Sequence, residues 1–265
     1  MTEANEAMGM QKSVAIVTGS SSGIGKATAV RLSRDFSAVV LAARGAAELG
    51  EVAEQVNANG AEPLAIDLDL MAPTAAEAVV SQTLAKFGRI DALLNIAGAV
   101  PGTDLFQMTD EQWSVSMELK LHGARRLTLC AWDALKASKG AVVLIAGNTA
   151  EVPTASTAAV GVINAAIVAL AKAFADRGLK DCVRVNSVSP GPVMTGRRMS
   201  MIERWASAHN VSIDEAKRRL LTQAGISRYG EPQDIAELMA FLVSSAARWM
   251  TGTQLRIDGG EVKSI

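Results

Sequence analysis

Ser13 to Gly25 reads SVAIVTGSSSGIG, an apolar run that breaks into a glycine-rich turn and opens a helical pattern near Lys26. Strand before and helix after are the context that gives such a turn meaning. Glycines let the chain turn sharply and let backbone N–H groups approach a pyrophosphate, whose negative charge the dipole at the helix N-terminus favours. The stretch from Thr18 to Gly25 therefore predicts the first βα unit of a dinucleotide-binding domain.

The same alternation continues along the chain. Strand-like runs begin near Val14, Ala38, Pro63, Ala92, Ala141, Val183 and Gln254. Helical patterns lie between them: Lys26 to Arg34, Glu48 to Ala58, Ala75 to Phe87, Trp113 to Ala137, Ala158 to Arg177 and Gln233 to Ser244. Strands alternating with helices argue for βαβ units. The expectation is an α/β protein: a single-domain Rossmann fold over 11–265, with a doubly wound parallel sheet of about seven strands and helices on both faces. Residues 1–10, MTEANEAMGM, are polar and acidic and are expected to form a disordered tail.

Composition narrows the function. The chain has 265 residues, 49% of them hydrophobic but only 4% aromatic, and 22 are glycine. That suits an aliphatic core of helices packed closely on a sheet. A net charge of -1, without long blocks of like charge, gives no support for a nucleic-acid surface. Small-molecule chemistry is the better reading. Two cysteines, Cys130 and Cys182, make neither a disulfide framework nor a metal-site spacing and are expected to be buried free thiols. The N-terminus lacks the basic-then-apolar order of a secretory signal, and no unbroken apolar run of roughly 18 residues occurs. A cytoplasmic protein without a metal or membrane contact is expected. One helix stands apart: Ala158 to Phe174, AAVGVINAAIVALAKAF, is apolar nearly all round. It must be covered on more than one side, either by a homo-oligomer interface or by burial within one chain.

About twenty residues beyond the glycines, the second strand ends at Ala43-Arg44, where an acidic residue would bind the ribose 2′-hydroxyl of NAD. A guanidinium pairs instead with a 2′-phosphate, so NADP is expected over NAD. Asp67, closing the third strand, could accept from the adenine amino group or cap a turn.

TGSSSGIG, Asp67, LNIAG (94–98), SPGPVMT (189–195), YGEPQDIA (229–236) and TGTQLRIDGG (251–260) occur in that order. Together they resemble the short-chain dehydrogenase/reductase (SDR) family over residues 13 to 260. The resemblance implies a homotetramer or homodimer, with Gly19, Ser20, Ser21, Ser22, Gly23, Ile24 and Gly25 around the phosphates. It places Arg44 at the ribose phosphate, Asp67 at adenine, Asn95, Ala97 and Gly98 along the adenosine ribose, and Pro190, Gly191, Val193 and Thr195 at the nicotinamide. It also makes residues 196–226 a substrate lid of two helices, the second capped at Ser212 with Glu215 three residues on. Met199, Met201, Ile202 and Trp205 could wall an apolar pocket there, and Arg197, Arg198 and Arg204 could attract a negative group.

The family's catalytic residues are an Asn, a Ser, and a Tyr and Lys four apart. Aligned here, Lys120 stands at the Asn, Ala146-Gly147 at the Ser, Val160 at the Tyr and Asn164 at the Lys. Tyr229, the chain's only tyrosine, lies in a distal segment. Lys120, Thr149 and Asn164 are the candidate catalytic residues left, with Ser156, Thr157 and His122 also near. Three readings follow: an NADP-dependent oxidoreductase acting on a carbonyl or alcohol by a non-standard proton route; a catalytically inactive NADP-binding homologue serving as a sensor or regulatory partner; or a relative catalysing a reaction without net hydride transfer.

Overall fold

The computed structural model describes residues 13–264; the expected N-terminal tail lies outside them. Seven parallel strands form one sheet: β1 (Val14–Thr18), β2 (Ala38–Ala43), β3 (Glu62–Asp67), β4 (Ala92–Asn95), β5 (Ala141–Ile145), β6 (Arg184–Pro190) and β7 (Gln254–Ile257), in the order β3-β2-β1-β4-β5-β6-β7. Val17 pairs with Leu41 on one side and Leu94 on the other. The strand order reverses between β1 and β4, and in open α/β sheets a ligand crevice forms outside the carboxyl ends of the strands at such a point.

Alternate residues of each buried strand serve opposite faces, as the period of two requires. Val14 and Ile16 join a core with Leu127, Leu135, Ile167 and Phe174, from α5 (Gly123–Ser138) and α6 (Ala158–Asp181). Ala15 and Val17 join a second core with Leu32, Leu49 and Met239. Those three come from α1 (Gly23–Leu32), α2 (Ala46–Ala58) and α9 (Pro232–Val243). The remaining helices are α3 (Ala75–Phe87), α4 (Asp110–Met117), α7 (Gly196–Ala208) and α8 (Ile213–Ala224).

Several expectations need correction. The first helix begins at Gly23, inside the glycine turn rather than after it. The single helix expected from Trp113 to Ala137 is two helices joined by a π-helical turn at Glu118–His122. Cys130 and Cys182 are both exposed: Cys130 lies on the outer face of α5, and Cys182 terminates α6 with φ 59°. Neighbouring apolar residues misled the reading, because a helix running on an aliphatic core can still turn single apolar positions outward.

Helix α6 is long and apolar enough, by length and composition, to cross a membrane. Here it packs on β5 and β6 through Ile163, Ile167, Ala171 and Phe174, while Val162 and Leu179 stay exposed.

Candidate active site

The glycine turn is held by contacts that tolerate little else. Gly19 has φ +66°, and a Cβ there would lie 2.9 Å from Ala97 Cα. A Cβ on Gly25 would fall 2.0 Å from the Gly19 carbonyl oxygen, so the helix can sit this close to the strand only on glycine. Gly23, φ +53°, has Thr195 at 3.2 Å from the same ideal position. Thr18 ties the turn to the neighbouring strand: its Oγ1 accepts from the Ile96 and Ala97 N–H groups at 2.9 and 3.0 Å. The N-cap of α1, Ser22, makes no side-chain capping bond. The first N–H groups of this helix are thus left for a ligand, and the local dipole favours an anion.

This turn forms one wall of a cleft of about 620 Å³. Gly19, Ser21, Ser22, Gly23, Ile24, Gly25, Arg44, Ala97, Gly98, Pro190, Gly191, Val193 and Thr195 all line it, as do Lys120, Thr149 and Asn164. Three predicted cofactor residues do not. Ser20 is fully buried behind the turn, and its Oγ has no hydrogen-bond partner among the described residues. Asn95, the last residue of β4, faces α5 and donates to Thr128 Oγ1 at 3.1 Å. Asp67 is exposed and accepts from the Gly45 N–H at 3.0 Å, which shapes the turn before α2. The carboxylate in the cleft at this end is Asp69, whose Oδ2 is 3.7 Å from the largely exposed Arg44 guanidinium. Only its place two residues after Asp67 could have signalled it.

At the other end of the cleft the three candidate catalytic residues meet. The π-helical turn brings Lys120 across the floor, its stem against Gly98, where a Cβ would lie 3.0 Å from Lys120 Cγ and Cδ. Its Nζ donates to the Ala146 carbonyl at 3.0 Å and to Asn164 Oδ1. The Asn164 amide in turn donates to Thr149 Oγ1 at 2.8 Å. Asn164 is buried in the first turns of α6, and Gly147 makes room for it: a Cβ at 147 would come within 2.5 Å of Asn164 Nδ2. Burial, and after it the charge of Arg197, lowers the Lys120 pKa to about 8. An ammonium has three N–H donors. Two are used here, so one remains for a ligand in the cleft.

Lys120 comes from the π-helical turn and Asn164 from α6, and the two meet across the cleft floor. Val160 lines the cleft nearby. Tyr229 does not reach it; it packs in the lid and its hydroxyl donates to the Lys217 carbonyl.

Residues 196–226, expected as the lid, carry two helices, α7 and α8, and only part of the expected wall faces the cleft. Met201, Arg197 and Arg198 line it. Ile202 and Trp205 instead build the lid's own small core with Ala206 and Ala216, and Arg204 lies outside the cleft lining. Ser212 Oγ accepts from the Glu215 N–H, as expected of the cap. The Glu215 carboxylate turns away to Arg218 and Arg219. His122 ends the π-helical turn and does not line the cleft. Among the described residues no group of His, Cys, Asp or Glu could hold a metal ion.

The sheet order, the reversal at β1 and β4 and the uncapped helix over a glycine turn define a dinucleotide-binding α/β enzyme class. Residues 19–261 match the family described as enoyl-(acyl carrier protein) reductase, within the short-chain dehydrogenases. The chain belongs to the SDR family. It is 28% identical over 255 residues to the 3-oxoacyl-(acyl-carrier-protein) reductase FabG of Staphylococcus aureus, covering 96% of this chain and 99% of that one. L-sorbose reductase of Gluconobacter frateurii, solved with NADPH and L-sorbose, superposes with a TM-score of 0.92 at 29% identity, covering 97% of this chain and 99% of that one. A variant of actinorhodin polyketide ketoreductase, solved with NADPH, gives 0.89 at 30% identity over 94% and 97% of the two chains.

Proposed function

We propose that this chain is an NADPH-dependent carbonyl reductase in which the Lys120 ammonium takes the place of the family's phenol as proton donor. The observation that carries this reading is the Lys120 Nζ, fixed between the Ala146 carbonyl and Asn164 Oδ1 with one N–H left for the cleft. The glycine turn, the N-terminus of α1 and Thr195 would hold the dinucleotide, with Arg44 at the 2′-phosphate. The bound dihydronicotinamide would supply the hydride.

The chain's own groups do the rest. The free Lys120 N–H binds the substrate carbonyl oxygen and polarises it, and as charge builds on that oxygen the ammonium yields a proton to it. A donor with a pKa of about 8 is well matched to this task near neutral pH, whereas an ordinary lysine would hold its proton too tightly. Asn164 keeps the amine from swinging off the cleft axis. Thr149, which accepts from Asn164, keeps its own O–H free as a second donor to the same oxygen.

NADPH consumption with a panel of ketones tests the reading. Lys120→Met is expected to lower kcat/KM by roughly 10² to 10⁴, while the Kd for NADPH stays within about threefold. Because the reaction needs the protonated amine, the rate of reduction in the parent should fall as pH rises through about 8. The variant should lack that break. Tight NADPH binding with no turnover of any ketone would favour the inactive, cofactor-binding reading instead.

The same reading includes a homo-oligomer covering the exposed side of α6. Val162→Glu should then dissociate it, since an unpaired buried charge costs several kcal/mol. A monomeric parent at micromolar concentration in light scattering would refute this part.

A further inference from the structure

The cleft end beside α7 holds positive charge that no ion pair among the described residues neutralises. Arg197 and Arg198 open α7 and both line the cleft, with Lys120 on the floor beneath. Arg197 donates to the Gly98 carbonyl at 2.9 Å, which ties the lid to the far wall. Arg198 is half-buried, yet its guanidinium has only the sulfur of Met201 at 3.7 Å, and no ion pair is formed by it among the described residues. The acids whose charge favours its ionised form are Tyr229 and Glu261, and neither forms an ion pair or hydrogen bond with it among the described residues. Glu261 is engaged by the Asn148 amide, and burial raises its pKa. Burial likewise disfavours the charged form of Arg198.

A guanidinium partly withdrawn from water without an ion-pair partner is costly, and five planar donors beside a cleft suit one kind of ligand, a carboxylate or phosphate bound by two parallel hydrogen bonds. The α1 N-terminus already offers the site for the cofactor's pyrophosphate. We propose that Arg198 seats an anionic group carried by the carbonyl substrate itself, so that the reductase acts on keto acids or phosphorylated ketones. This rests on the carbonyl reductase reading. Carbonyl oxygen at Lys120 and anion at Arg198 would fix the substrate at two points.

Matched pairs decide it: acetoacetate against methyl acetoacetate, and dihydroxyacetone phosphate against dihydroxyacetone. The expected result is that at least one anionic member is preferred in kcat/KM by about tenfold or more, the usual weight of a charge-assisted hydrogen bond. Arg198→Met should remove that preference through KM, with far less loss on the neutral member. The pair showing the contrast identifies carboxylate or phosphate. Equal losses on both members, no anion preference in the parent, or a weakened NADPH Kd in Arg198→Met would each overturn the assignment. If no ketone is turned over, the reductase reading fails, and calorimetry of the two anionic compounds with NADP⁺-loaded protein still decides this one. Binding to the parent that is lost in Arg198→Met supports it; no binding to the parent overturns it.

Discussion

The two ends of the cleft are built from different materials. At the nucleotide end the groups that line the cleft are mainly backbone, shaped by glycines whose absent side chains leave room for a close approach. At the other end they are side chains, Lys120, Asn164 and Thr149, held by one another. A backbone site can hardly be rearranged without breaking the turn that makes it. A side-chain site depends on several elements at once: the ammonium comes from the turn after α4, and the amide that holds it comes from α6.

The sharpest way to break that contrast is to add one methyl group at each end. Gly25→Ala drives a Cβ to 2.0 Å from a backbone carbonyl oxygen. The helix must then move off the strand, and NADPH binding should weaken by at least ~100-fold with a stability loss of about 1–3 kcal/mol or more. Fluorescence titration and thermal melting read both effects. Parent-like NADPH affinity would show that the turn is not the phosphate site.

Gly147→Ala meets only the movable end of a side chain, 2.5 Å away. The Asn164 amide can step aside, so the fold should hold while the link to Thr149 and the grip on Lys120 loosen. A loss of roughly tenfold in kcat is expected, on the order of 1 to 1.5 kcal/mol for one hydrogen bond. Once Asn164 is already Ala, adding Gly147→Ala should cost almost nothing more, because both changes remove the same contact. Additive losses would separate Gly147 from the lysine.

An effect of the same order, confined to cofactor affinity, belongs to Arg44→Ala. It should weaken NADPH about tenfold and leave NADH unchanged, since the residue is mostly exposed and Asp69 at 3.7 Å already offsets part of its charge. Equal affinities for NADH and NADPH in the parent would remove the basis for the assignment.

The contrast also explains what could be read in advance. Strand–glycine–helix order fixes where a backbone cradle lies, so the turn from Gly19 to Gly25 and the sheet around it were legible before any coordinate. The direction of a side chain at a strand end was not. Asn95 sits beside Ile96 and Ala97, yet its amide turns to Thr128 on the opposite face, and Asp67 spends its carboxylate on Gly45. Residue type alone likewise made Ile202 and Trp205 look like pocket wall, when a pair of helices standing off the sheet needs an apolar core of its own. That Lys120, Asn164 and Thr149 would touch depended on three separate elements, and on one turn wider than an α-helix.

That turn has a consequence of phase. Each residue advances an α-helix by about 100°, so one residue more or fewer in a turn rotates everything beyond it by that angle. The residues from Glu118 to His122 thus act as an angular offset between two ordinary helices. They free Lys120 from the facing pattern of α4 while α5 still lays Ala124, Leu127, Ala131 and Leu135 on the sheet. Deleting a single residue there, with no polar group altered, would swing the ammonium away from the cleft or tear α5 from its core. The chemistry of this end is therefore recorded in a count of residues as much as in their kinds.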